Sequence, residues 1–320
     1  MNDGIFRTLF NGLSLAGRRL TVVLFHRVLP APDPLLPDEP DVQRFAGILR
    51  WLAGTFAVMT LRDAVAALEH GRLPRRALVI TFDDGYADNA TQALPALQAA
   101  GLPATFFATT RFLDGGLMWN DRVIEAVRAW QGPVIDLSRH GLPRATIGVR
   151  RHDAIDTLLG AMKYLDFDRR EAIATELLQE SGSQVTRLMM DTSQLRQLHG
   201  AGMEIGAHTH SHPILARLGR DQARTEMATN KALLEQIIGA PVTSFAYPNG
   251  RLGTDFTAEH GAIAAELGFT CAVTTMPGTA ATLAHRFELP RLAPWDRTRA
   301  RYLARLARHY FDSPPVSAAA

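Results

Sequence analysis

The sequence predicts an α/β protein built as a distorted or incomplete (β/α) barrel with a mainly helical insertion. Short apolar, β-rich runs alternate with segments whose apolar residues recur every three or four positions, the signature of parallel strands joined by helices. The alternation is held over most of a 320-residue chain, a length that suits one barrel with insertions. Between residues 111 and 200 the rhythm breaks into several helical stretches, which read as a cap over the barrel.

Residues 1–20 come first as an amphipathic helix. Ile5, Phe6, Leu9, Phe10 and Leu13 would share one face of it, suited to packing on its own domain or to peripheral membrane contact. The barrel spans residues 21–300. Its expected strands are Thr21 to His26, Phe56 to Thr60, Ala77 to Asp84, Ala104 to Thr110, Met203 to His208, Ser244 to Pro248 and Cys271 to Thr275. Helices are expected over Leu61 to His70, Asp88 to Ala100, Arg220 to Ile238 and Thr254 to Leu267. Within the insertion they fall near Asp121 to Trp130, Arg151 to Tyr164 and Arg169 to Glu180. Residues 301–320 read as a C-terminal helix and a frayed tail from Ser313 onward.

With 47% hydrophobic and 21% charged residues and a net charge of +2, the chain has an ordinary globular composition and no basic stripe for nucleic acid. A single cysteine, Cys271, excludes an internal disulfide framework and a multi-cysteine metal site, so any metal must be held by His and carboxylate. No run approaches the roughly 20 apolar residues that cross a bilayer, and no secretion signal is recognisable, so the expected location is cytoplasmic, with peripheral membrane attachment or export as the alternatives. Oligomeric state is left open.

Two motifs carry chemistry. In Thr81-Phe82-Asp83-Asp84-Gly85-Tyr86 two adjacent acids stand where an apolar strand gives way to a glycine turn. The C-terminal ends of barrel strands build active sites, and a strand buried on both faces does not carry an unpaired acid pair for nothing. One acid can bind a cation while the other takes a proton; the plain alternative is an Asp-Gly turn with Asp88 as a helix cap. In His208-Thr209-His210-Ser211-His212, His208 and His212 are spaced so that a tight loop can aim both at one metal, with His210 pointing elsewhere.

Thr81 to Gly85 and His208 to His212 together resemble the TFDDG and HxxxH motifs of the polysaccharide deacetylases with a NodB-type domain, carbohydrate esterase family 4-like. Phe245-Ala246-Tyr247-Pro248-Asn249-Gly250 looks like the FAYP form of the third motif, and Leu24 to Val28 is similar to the opening of the exopolysaccharide branch. The resemblance implies a seven-stranded NodB-like barrel and a metal-dependent N-deacetylase acting on the N-acetylated amino sugars of a polysaccharide, oligosaccharide or lipid-linked glycan. It carries over Asp83 as catalytic base and Asp84, His208 and His212 as metal ligands. Zn2+ is the first expectation for the metal, with Co2+, Ni2+ or Fe2+ compatible with the same ligands.

Tyr247, Pro248 and Asn249 are expected along the substrate groove, with backbone N–H groups of Tyr247 to Gly250 at the oxyanion. Trp119 and Trp295 are expected to stack on sugar. The chain departs from the family in having Ala246 where an arginine usually orients the base, and Arg291 is the candidate to replace it. A late-chain histidine acid is not evident; His26 is the candidate, ahead of His285. Two other readings stay open: an amidohydrolase for a non-polymeric amide, and a degenerate carbohydrate-binding barrel.

Overall fold

The computed structural model describes residues 3–312 apart from 149, 186 and 294. The expected frayed tail, residues 313–320, lies outside them. In chain order the elements are α1 (Asp3–Ala16), β1 (Thr21–Phe25), α2 (Val42–Thr55), β2 (Ala57–Met59), α3 (Leu61–Glu69), β3 (Ala77–Phe82), α4 (Leu94–Ala100) and β4 (Thr105–Ala108). Next come α5 (Trp119–Ala129), β5 (Val134–Asp136), β6 (Arg144–Thr146), α6 (Arg151–Met162), α7 (Phe167–Ser181) and α8 (Thr192–Gly200). The chain then returns to β7 (Glu204–Ala207), α9 (Arg220–Ile238), β8 (Ser244–Ala246), α10 (Ala258–Glu266), β9 (Cys271–Val273) and α11 (Arg299–Arg308).

All seven expected strands form one parallel sheet, ordered β1-β3-β4-β7-β8-β9 with β2 also paired to β3. The sheet curls so far that residues 289–292 bridge its two edges. Leu289 exchanges backbone hydrogen bonds with Ala272 and Thr274 beside β9, and Leu292 does the same with Val22 and Leu24 of β1. This short segment therefore closes the barrel, and Arg291 rides on it.

Alternation along each strand divides the core. Val23, Phe25, Ile80, Phe82, Phe106 and Phe245 point out to the helix layer. Val22, Val79, Phe107, Ala246 and Val273 belong to a second cluster filling the interior. Phe107 needs Gly206 beside it, because a Cβ there would stand 2.3 Å from the ring. Parity then carries Thr81 and Asp83 to the interior side.

Helix α4 starts later than the expected Asp88, after a π-helical turn over Asn89–Ala93. Pro95 lacks the N–H of a regular ladder, and the Leu94 N–H bonds to Asn89, five residues back. The segment between β4 and α8 packs a separate core of Val123, Ile135, Leu158, Ile173 and Leu177 among others. It includes an antiparallel hairpin, β5 with β6, that the helical expectation omits. In α1, Phe6, Phe10 and Leu13 pack on the barrel body while Ile5 and Leu9 face outward. No helix among the described residues is long and apolar enough to cross a membrane.

Candidate metal and catalytic site

The two motifs meet at the C-terminal end of the sheet. Asp84 adopts a left-handed backbone, φ 76°, as do Thr209 (63°), His212 (56°) and Asn249 (62°). Non-glycine residues pay for that conformation, and its gathering at one place marks a constrained functional site. The turn is pinned by Thr109, whose N–H and hydroxyl both donate to the Asp84 carbonyl at 3.2 and 2.9 Å.

Asp84 Oδ1 is faced by Nε2 of His208 at 3.3 Å and Nε2 of His212 at 3.4 Å. The three ligand atoms lie within 4.8 Å of one another. His208 Nδ1 is 2.8 Å from the Ala246 carbonyl, so it carries the ring proton. In the neutral ring Nε2 then turns a lone pair toward a carboxylate oxygen, an opposition that a cation between them removes. The edge of a tetrahedral zinc site with ligands near 2.05 Å is about 3.3 Å, the separation seen. The donor set fits a divalent metal.

Electrostatics agree. Burial raises the Asp84 pKa, but the neighbouring His208 and His212 outweigh it and hold the carboxylate below its usual range. Burial pushes His212 down to about 4, leaving it neutral with a free lone pair. Burial also lowers His208, yet Asp83 and Asp84 together raise it. His210 turns away, its Nδ1 2.9 Å from the Thr110 hydroxyl.

Two residues without a motif hold this loop. Asn230 of α9 accepts from the His208 N–H at 2.8 Å and donates to the Ala108 carbonyl. Glu226 accepts from the Ser211 N–H and hydroxyl at 2.8 and 2.7 Å. Both sit on the apolar-spaced helix α9, where a buried Asn is the available signal.

Asp83 is held by Arg291 in a two-pronged ion pair, Nη1 to Oδ1 at 2.7 Å and Nη2 to Oδ2 at 2.6 Å, with both side chains buried. Arg291 Nε donates to the Thr274 carbonyl, and Nη1 also reaches the Thr81 hydroxyl at 3.2 Å. Burial would raise the Asp83 pKa; the guanidinium overcomes it and keeps the acid ionised. Arg291 thus makes the contact with Asp83 for which the sequence made it the candidate.

A cavity of about 710 Å³ opens over these groups. Asp83, Asp84, His208, His212, His26, Trp119 and Asn249 all line it. His26 is half-exposed, its Nδ1 3.9 Å from the carboxylate of Glu39. In the same lining Asp121 accepts from the Tyr86 hydroxyl at 3.0 Å, and burial pushes its pKa up to about 7.

Several expected contacts fall elsewhere. Tyr247 is fully buried, stacked on Phe256 at 3.9 Å, and its N–H is spent on the Val273 carbonyl. Strand alternation sends its ring to the helix layer, so neither ring nor N–H reaches the groove. Pro248 is buried and Gly250 N–H bonds to the Pro248 carbonyl at 2.7 Å. Of this motif, Asn249 alone lines the cavity, and its N–H has no acceptor among the described residues. Trp295 is exposed under the Arg305 guanidinium at 4.3 Å, and neither it nor His285 lines the cavity. Cys271 is a buried strand residue whose pKa burial pushes up to about 12.

The profile of the family described as polysaccharide deacetylase matches residues 70–272, ending before the segment that supplies Arg291. YxkH of Bacillus subtilis, assigned by name to the polysaccharide deacetylases, is 22% identical over 264 residues, covering 82% of this chain. The chain spans 66% of that relative's length. Among solved structures, the Streptococcus pyogenes deacetylase PplD in complex with acetate superposes with a TM-score of 0.60 at 18% identity, covering 92% of this chain and all of that one. IcaB from Ammonifex degensii gives 0.58 at 18% identity, covering 90% and 98%. These two share the curled parallel barrel with this chain.

Proposed function

The chain belongs to the polysaccharide deacetylase family, and from that premise we propose that it is a metal-dependent N-deacetylase of amino sugars in a polysaccharide, oligosaccharide or lipid-linked glycan. The observation that carries the proposal is the buried Asp83–Arg291 pair standing beside the Asp84, His208 and His212 donors in one cavity.

A divalent ion held by Asp84, His208 and His212 would supply Lewis-acid polarisation of the acetamide carbonyl and of the attacking water, with Zn2+ the first candidate. Asp83, kept ionised and aimed by Arg291, takes a proton from that water as its oxygen bonds to the carbonyl carbon. The free N–H of Asn249 is the backbone donor available to the oxygen that gains charge. His26, in the same lining, hands a proton to the nitrogen as the carbon–nitrogen bond breaks. Acetate and a free amine leave. Trp119, half-buried in the cavity wall, offers a face to the sugar ring.

Acetate release from N-acetylated glycans by the metal-loaded full chain, beside Asp83→Asn, tests the reading. Turnover by the parent that falls at least about a thousandfold in Asp83→Asn supports it. A variant with near-normal rates removes Asp83 as the base. Sugar binding without acetate from any substrate moves the assignment to a binding barrel.

A further inference from the structure

The junction of α6 and α7 carries a charge arrangement that deacetylation does not call for. Lys163 Nζ lies 5.3 Å and the Arg217 guanidinium 5.5 Å from the ring centre of Tyr164. Arg111 and Arg170 each lie 5.7 Å from the ring centre of Phe167. Arg111 follows β4 and Arg217 follows β7, so the patch straddles the seam between insertion and barrel.

None of the four cations has a carboxylate within 4.0 Å among the described residues. The acids nearby are otherwise engaged or apart. Asp166 caps α7 by accepting the Arg169 N–H, Glu171 pairs with Arg122, and Asp168 forms no ion pair with any of the four. Three other arginines, Arg128, Arg139 and Arg220, each hold two carboxylates. Four like charges gathered on two rings repel one another, and cation–π attraction offsets only part of that. Within this cluster no carboxylate contact among the described residues neutralises the four charges.

The cluster reaches the reaction site, whose lining also carries the carboxylates of Glu39, Asp83, Asp84, Asp121 and Asp156. Lys163 and Arg170 also line the catalytic cavity, and Arg251, whose side chain has no partner among the described residues, lines it too. Arg170 has a structural use as well, donating to the Lys163 carbonyl at the end of α6 and stacking on Trp119 at 4.9 Å. Lys163 and Arg217 have no such bond.

We propose that Lys163, Arg170 and Arg217, with Arg111 behind them, form a subsite for an anionic group, phosphoryl or carboxylate, carried by the substrate next to the acetamido sugar. The proposal rests on the deacetylase reading for the sugar alone; the anion subsite is tested by binding. Titration calorimetry of the full chain with N-acetylglucosamine 1-phosphate, a glucuronate-containing N-acetylglucosamine disaccharide and a neutral N-acetylglucosamine disaccharide gives the affinities. The Lys163→Gln/Arg217→Gln double variant is measured alongside, its fold checked by circular dichroism.

One anionic sugar is expected to bind about tenfold more tightly than the neutral one at low salt. The preference should fade at high salt and vanish in the double variant. Which anion is preferred separates a phosphoryl from a carboxylate substrate. Equal binding of all three sugars, or a preference that survives the double substitution, overturns the subsite. Acetate release is followed separately. A charge preference with no acetate from any sugar supports the subsite while refuting the deacetylase. Acetate release with no charge preference in binding does the reverse.

Discussion

Replacing Arg291 with methionine would leave Asp83 as an unpaired charge in the interior. Both partners are buried, and the guanidinium supplies two hydrogen bonds to the carboxylate. Breaking such a pair from one side costs about 3–5 kcal/mol, or roughly 4–8 °C in thermal midpoint for a chain of this size. The sign with pH follows from the lowered Asp83 pKa. In the parent its contribution is complete above the unfolded value near 3.9 and is lost as pH falls through the lower folded value. In Arg291→Met the main opposition to burial is gone, with only His208 and His26 still pulling the other way, and the pKa rises, so the deficit should be full at pH 7 and shrink toward pH 4 as Asp83 takes up a proton. Adding Asp83→Asn removes the charge and should restore at least about 2 kcal/mol, without restoring acetate release. Urea unfolding of the four chains across that pH range measures this cycle. A loss under about 1 kcal/mol in Arg291→Met, or no recovery in the double variant, refutes the reasoning.

Tyr247→Phe removes a buried hydroxyl that has no partner among the described residues, so stability should hold within about 0.5 kcal/mol or rise and acetate release should not change. A large fall in activity would return Tyr247 to the groove. Gly206→Ala sets a Cβ 2.3 Å from Phe107 and 2.9 Å from the Ser244 hydroxyl, and is expected to cost about 1–3 kcal/mol or more in urea unfolding. His210→Ala loses a hydrogen bond to Thr110 and about 1 kcal/mol of stability, yet should keep its metal by elemental analysis.

The strands were legible because each is an apolar run bounded by turns, and a parallel strand covered on both faces has no other way to read. The hairpin was hidden by its size: β5 and β6 each bury one residue, Ile135 and Ala145, too little for a period to show. Helices α2 and α8, absent from the expectation, do carry signals. Asp41 caps the spacing Phe45, Ile48, Leu49, Leu52, and Asp191 forms a capping box with Gln194. At the site, the acid pair and the histidines are local motifs. Arg291 stands far along the chain, and its partner depends on how the barrel closes, which no local pattern contains. Tyr247 was misplaced because a motif drew it to the groove against the alternation of its own strand. Reading Ala246 inward would have turned Tyr247 toward the helices and left Asn249 as the groove residue.

The metal site is tested most directly by the divalent metal content of the purified full chain beside His208→Ala/His212→Ala and Asp83→Asn. About one ion per chain is expected in the parent, none bound in the double histidine variant, and one retained in Asp83→Asn, since Asp83 is committed to Arg291. Metal retained without the two histidines, or no metal taken up after incubation with zinc, cobalt or nickel, would contradict it.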